Sequence, residues 1–178
     1  MLEKLHGKVE SAEVYEIKSR ETPVRFRAGE LESAKSIEQA GRALRVIKDG
    51  KLGYSTTTDL EDELSLIKNA LAAAEFGDPA PFQFAAKAEP PEVECFDPEV
   101  EGAEVEQMIK LGEEVVEKIK EYDPELHIEV ELERGVEEVL LRTTEGQEAR
   151  EQGTLFEVGI ELQRTEEGDI LILYDEAA

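Results

Sequence analysis

An α+β fold, a mainly antiparallel sheet with two amphipathic helices packed on one face, is what this sequence predicts from three observations. Apolar and polar residues alternate in several short segments, two longer stretches carry apolar residues at helical spacing, and the strand-like and helix-like stretches fall in separate runs. A length of 178 residues, 40% hydrophobic and 36% charged, supports one globular domain or at most two small ones sharing a sheet. We read residues 1–178 as a single domain with three parts: a meander plus helix over 1–77, a proline-rich connector over 78–101, and a helix plus meander over 102–178.

From Ala12 to Thr57 short extended segments are broken by turn residues, with Pro23 at a strand start and Gly29, Gly50 and Gly53 as punctuation. In Val24 to Ala28, Val24, Phe26 and Ala28 face one side and Arg25 and Arg27 the other, the period of two of a half-buried strand. Ala28-Gly29-Glu30 turns the chain. Further strands are predicted over about Leu31 to Gln39 and Arg42 to Lys48, and Asp49-Gly50 is the dipeptide preferred in a type I′ hairpin, returning through Lys51 to Ser55.

Thr56-Thr57-Thr58-Asp59 reads as a helix start, because a hydroxyl or carboxylate there accepts the orphan backbone N–H groups. Leu60, Leu64, Ile67, Leu71 and Ala74 form the predicted buried stripe, and Gly77 is expected to end the helix in a left-handed cap. Five prolines mark the connector from Asp78 to Pro98. A second helix is predicted over about Gly102 to Tyr122, burying Val105, Met108, Ile109, Gly112, Val115, Val116 and Ile119, and Asp123-Pro124 stops it. His127 to Arg134 then alternates Ile128, Val130 and Leu132 with Glu129, Glu131 and Glu133. Gly135 is expected to break this strand, with Val136 to Thr143, Phe156 to Leu162 and Ile170 to Tyr174 as three more, separated by Glu145-Gly146 and Glu167-Gly168-Asp169.

Charge narrows the partners. Acidic residues outnumber basic ones 44 to 20, a net charge of −24, which argues against attraction to nucleic acid or anionic lipid. The imbalance is local: 11 basic and 9 acidic residues precede or include Thr58, against 9 and 35 after it. No apolar run approaches the roughly 20 residues of a membrane-spanning helix, and Met1 to His6 lacks a signal-peptide core. A single cysteine, Cys95, excludes an internal disulfide and points to a reducing cytoplasm.

The residues offer little chemistry of their own. The two histidines, His6 and His127, have no partner at the spacing of a zinc-binding helix, and acidic neighbours of Cys95 disfavour its thiolate. Neither a glycine-rich phosphate loop nor a GxSxG elbow occurs. The 44 acids allow so many carboxylate pairs that no pair stands out as an acid–base couple. No catalytic residue, metal ligand or cofactor is predicted in this chain.

Several segments nonetheless recur in order as in a known family: Ala12-Glu13-Val14-Tyr15, Val24-Arg25-Phe26-Arg27, Gly29-Glu30-Leu31-Glu32, Gly41 with Leu44-Arg45-Val46-Ile47, Gly50-Lys51-Leu52-Gly53-Tyr54-Ser55-Thr56-Thr57, and Asp59-Leu60. Together they resemble the N-terminal domain of the TldD/PmbA family, often labelled modulator of DNA gyrase. The similarity continues more weakly through the second helix, Thr143-Thr144-Glu145-Gly146, and Glu167-Gly168-Asp169 with Tyr174-Asp175. The resemblance implies a subunit of a zinc-dependent peptidase acting on extended peptides and assembling as homo- or heterodimers. The family's HExxxH motif belongs to its C-terminal part and does not occur here, so zinc is implied only for a C-terminal peptidase domain or partner subunit.

Two functions are therefore expected. The first is a non-catalytic N-terminal domain that supports assembly and helps enclose or present an extended peptide, since antiparallel edges add a peptide strand through backbone hydrogen bonds. Arg25 and Arg27 are the candidate surface for it, and the plain alternative is that both pair with glutamates across a wet sheet face. The second is a stand-alone acidic module that binds a basic partner and influences gyrase without touching DNA.

Overall fold

The computed structural model describes residues 1–166 and 168–178. The predicted turn at Glu167-Gly168-Asp169 therefore lies partly outside the described residues, at Glu167. After a 3₁₀ turn at Leu2–Leu5 come strands β1 (Ser11–Arg27), β2 (Glu30–Ala34), β3 (Ile37–Lys48) and β4 (Lys51–Thr57). Helices α1 (Glu63–Glu75), α2 (Pro98–Gly102) and α3 (Val105–Tyr122) follow, then strands β5 (His127–Thr143), β6 (Glu148–Glu166) and β7 (Asp169–Ala177). Strand order is β4-β3-β1-β5-β6-β7, with β2 pairing β1, and the class is α+β as the sequence predicts. Contacts between β1 and β5 run in opposite order: Ala12 meets Thr144, Thr22 meets Arg134, and Arg25 meets Glu131. These two strands are antiparallel.

Two compact units share these strands. The first comprises Met1–Ser19, Gln39–Glu94 and Glu137–Gln152, the second Arg20–Glu38, Cys95–Val136 and Gly153–Ala178. In the first unit Ala12 and Val14 of β1, Leu44 and Val46 of β3, and Leu66, Ile67, Ala70 and Ala74 of α1 form the core together with Leu5. In the second, Val24 and Phe26 of β1 and Ile128, Val130 and Leu132 of β5 pack against Met108 and Val116 of α3.

Two glycines allow the close packing of helix on sheet. A Cβ at Gly53 of β4 would collide with the Ala70 carbonyl, and one at Gly112 of α3 with the Phe26 ring. Only hydrogen fits at either place.

Several boundaries differ from the sequence pattern for identifiable reasons. Helix α1 starts at Glu63, not near Thr58, because the Asp62 carboxylate accepts the Ser65 N–H at 3.1 Å while Thr57 and Asp59 close a separate turn. The buried stripe is consequently rotated: Leu66 and Ala70 are inside and Leu64 is 73% exposed. Gly77 has no left-handed φ. It is required instead by proximity, since a Cβ there would strike the Leu52 carbonyl. The Asp49-Gly50 turn does have two positive φ angles, 53° and 70°, as a type I′ hairpin demands.

β1 runs through Pro23 as one strand, and the predicted strand 31–39 divides between β2 and β3. β5 likewise continues through Gly135, where a Cβ would find only ordinary contact with Leu155 at 3.5 Å. A glycine that leaves the backbone extended does not break a strand paired on both sides. The second helix begins at Val105, where Glu104 and Gln107 form a capping box, and Pro98–Gly102 is a separate short helix capped by Asp97.

Candidate functional site

Within the second unit, the strand pattern that buries Val24 and Phe26 turns Arg25 and Arg27 to the opposite face. The same alternation in β5 places Glu129, Glu131 and Glu133 beside them. A groove of about 490 Å³ forms there, lined by Arg25, Arg27, Glu131, Glu133, Glu157 and Tyr174 among others. The structure thus brings the two predicted site residues together on one groove wall.

Both arginines have carboxylate partners. Arg25 donates from Nε to Glu131 Oε1 at 2.9 Å, and its Nη2 lies 2.8 Å from the same oxygen. Arg27 Nη1 lies 3.2 Å from Glu32 Oε1 and its Nε 3.5 Å from Glu129, which also faces His127 Nε2 at 3.5 Å. The hydrogen bond to Glu131 and that residue's charge raise the pKa of Arg25 above its ordinary value. Six glutamates line this groove with two arginines, so it remains electronegative even with both pairs formed.

At the far wall, β6 and β7 supply a carboxyl pair that sequence spacing does not reveal. Glu157 and Glu176 interact side chain to side chain, and Tyr174 donates its hydroxyl to Glu176. The hydrogen bond with Glu176 and the negative charge there push the Glu157 carboxyl up, while bonds from Glu157 and Tyr174 hold Glu176 down. Glu176 in turn raises the pKa of the Tyr174 hydroxyl. The signal for this pairing is the β6–β7 register, which sets Gly159 opposite Glu176 and cannot be fixed from residue types alone.

The first unit has a different polar arrangement. Arg42 bonds Glu16 through Nε at 2.9 Å and Nη2 at 2.7 Å and also donates to the Leu60 carbonyl at 2.7 Å. Arg45 bonds Glu13 and lies 5.2 Å from the centre of the Phe84 ring. The Arg42–Glu16 pair is mostly buried and Arg45 about half exposed; together they tie β1 to β3 and brace the connector.

Among the described residues, no group of three or more His, Cys, Asp or Glu side chains is placed to hold a metal ion. Cys95 is exposed, and its carbonyl accepts the Thr154 N–H at 2.9 Å. No described helix is long and apolar enough to cross a membrane.

Comparison with known proteins places this geometry. Residues 12–75 match the family model for PmbA/TldA metallopeptidase domain 1. No curated protein matches the sequence. The fold is similar to that of TldE from Thermococcus kodakarensis, with a TM-score of 0.87 at 15% identity over 98% of this chain and 41% of that one. It is also similar to two proteins described as candidate modulators of DNA gyrase. For the one from Thermotoga maritima the TM-score is 0.79 at 17% identity, covering 94% of this chain and 39% of the other. For the one from Bacteroides thetaiotaomicron it is 0.82 at 18%, covering 94% and 40%. The chain spans about two fifths of the length of these solved structures. Over residues 12–75 the sequence is thus similar to the first domain of the PmbA/TldA metallopeptidases, and over nearly its whole length the chain has the fold of the matching parts of TldE and the two candidate gyrase modulators.

Proposed function

We propose that this chain is the non-catalytic N-terminal domain of a TldD/PmbA-like metallopeptidase, acting in a reducing cytoplasm, where it contributes to dimer assembly and helps enclose or present extended peptide substrates. The observation that carries the reading is the match of residues 12–75 to the first domain of a metallopeptidase, in a chain two fifths as long as TldE. Zinc and the hydrolytic residues then belong to a C-terminal peptidase domain or partner subunit, since the family's HExxxH motif does not occur in this sequence. Its own contribution is positional. The groove with Arg25 and Arg27 offers guanidinium N–H donors to the carbonyls of an extended peptide, while the surrounding glutamates repel polyanions.

Intact mass measurement of the polypeptide captured from source cells tests this reading. A mass well above 19.9 kDa with an HExxxH-bearing peptide downstream, or a co-purifying zinc subunit, supports it. A 19.9 kDa chain with no such subunit overturns it. The second reading, an acidic module that binds a basic protein and affects gyrase indirectly, is favoured by the 35 acidic residues after Thr58, and its binding would weaken steeply with salt.

A further inference from the structure

Two rows of charge run along α3, and they are built differently. Glu106, Lys110, Glu114 and Lys118 follow one another at four-residue intervals with alternating sign, and Lys110 Nζ lies 3.9 Å from Glu114 Oε1. A row of this kind satisfies itself. Glu113, Glu117 and Glu121 are also four residues apart, but all three are acidic, and like charges at this spacing weaken a helix. Among the described residues no ion pair engages their carboxylates. Lys120, three residues from Glu117, instead donates to the Gly29 carbonyl at 3.2 Å.

The unpaired row borders an apolar groove. One residue back around the helix lie Gly112, Val116 and Lys120, the row seated on the sheet, with Gly112 against the Phe26 ring and Lys120 over Gly29. On the other side Leu31 of β2 lies directly opposite Phe26 of β1, so it points to the same face, and it is 45% exposed. Between β2 and α3 a groove of about 550 Å³ opens, with Phe26, Leu31 and Val116 as its apolar lining and Glu113, Glu117 and Glu121 along its α3 wall.

Charge and spacing define what fits. The three carboxylates recur once per helical turn, about 6 Å apart. A helix laid along α3 presents its own residues at the same interval, so its apolar stripe covers Leu31 and Val116 while Lys or Arg on its flank meets the glutamates, as flanking charges do in paired helices. No described helix of this chain carries Lys or Arg at three successive four-residue positions, so a second copy has no matching row to offer, and each copy carries a net charge of −24.

We propose that the groove between β2 and α3 docks an amphipathic helix of a partner protein, one with an apolar stripe and Lys or Arg at successive four-residue intervals beside it. The inference rests on the reading of the chain as an acidic module and gives that module a surface. It is independent of the peptidase reading.

The test uses the full chain and an end-blocked, fluorescently labelled, eighteen-residue alanine-based helix with a Leu stripe flanked by Lys at four-residue intervals, followed by anisotropy. Binding should weaken about tenfold or more when Glu113→Gln, Glu117→Gln and Glu121→Gln are combined, and about fivefold or more for Leu31→Ser. Glu89→Gln, Glu92→Gln and Glu94→Gln together remove the same charge from the exposed connector and should change it less than about twofold. A peptide of identical composition with its Lys positions scattered around the helix should bind the unaltered protein about tenfold or more weakly. Circular dichroism confirms that each variant is folded, and if one is not, the two peptides on the unaltered protein decide. Equal weakening by the two triple variants would leave the acidic-module reading standing and overturn the groove. Absence of salt-sensitive binding by either peptide would remove both. Equal binding of the scattered peptide, a dimer of the chain alone that Leu31→Ser dissolves, or loss of binding in a longer parent polypeptide whose own residues fill the groove would each overturn the proposal.

Discussion

Arg25 places two nitrogens on one oxygen of Glu131, across the antiparallel β1–β5 pair, at 2.9 and 2.8 Å. The pair is open to water, with both side chains about half exposed, so its attraction is screened by salt and adds little to folding. A role in the groove and a role in stability therefore separate cleanly. Arg25→Ser and Arg27→Ser should leave the thermal midpoint in about 0.5 M salt unchanged, where screening has removed the exposed charge terms. If the proposed function holds, peptide cleavage by an enzyme assembled with this domain should fall in the double variant, with the loss in KM rather than kcat. Unaltered cleavage of short and long peptides alike would show that these arginines serve only their glutamates.

Arg42 and Glu16 make the contrasting case. Their side chains are only 13 and 12% exposed, and Arg42 also holds the Leu60 carbonyl. Arg42→Met leaves the mostly buried Glu16 carboxylate only the exposed Lys18, 3.6 Å away, and should cost about 3 kcal/mol, read from chemical denaturation at neutral pH. Burial pushes the Glu16 carboxyl up, but the hydrogen bond and charge of Arg42 more than offset this and hold it below 4.5. A depressed native carboxyl contributes stability above its unfolded value that is lost as pH falls through the native one. The unaltered protein should thus lose this contribution below pH 4.5, and Glu16→Gln should flatten that part of its stability profile.

What was legible in the sequence follows from how local each determinant is. The Asp49-Gly50 hairpin, the stop at Asp123-Pro124 and the buried positions of α3 depend on residues within one or two turns, and all are found where the pattern puts them. The alternation that faces Arg25 and Arg27 toward Glu129 and Glu131 was equally local. The continuity of β5 through Gly135 was not, because a glycine's effect on a strand depends on the neighbours that pair with it. Gly77 shows the same limit: its lack of a side chain answers to Leu52, 25 positions earlier, rather than to its own φ. The Glu157–Glu176 pair arises from strand order and register, which residue types alone leave open.

Gly112 tests the helix-on-sheet packing. A methyl group there meets the Phe26 ring inside a core that includes Val24, Met108 and Leu132, and neither ring nor helix can move without opening space elsewhere. Gly112→Ala should destabilise the protein by about 1–3 kcal/mol, despite alanine's higher helix propensity. Gly102→Ala is the control, since a Cβ there finds open space. Its midpoint should be unchanged or slightly raised. Equal behaviour of the two variants in urea would mean that α3 is not seated against Phe26.

The last prediction concerns Glu157 and Tyr174 at the far wall of the groove and Glu176, which interacts with both. A carboxyl that hydrogen-bonds a carboxylate retains its proton to higher pH, and the acceptor gives up its own at lower pH. Carboxyl carbon NMR should therefore show the pair titrating in two steps, one above and one below 4.5. Glu176→Gln should return Glu157 toward 4.5 by removing the charge that raises it. The sign for stability also follows. Protonating Glu157 relieves like-charge repulsion between β6 and β7, so this group contributes stability as pH falls through its raised native value, opposite to Glu16. Glu157→Gln mimics the protonated side chain and should abolish that gain while leaving the acid loss attributed to Glu16 in place. A single unsplit titration near 4.5 in the unaltered protein would show that the two carboxyls do not interact.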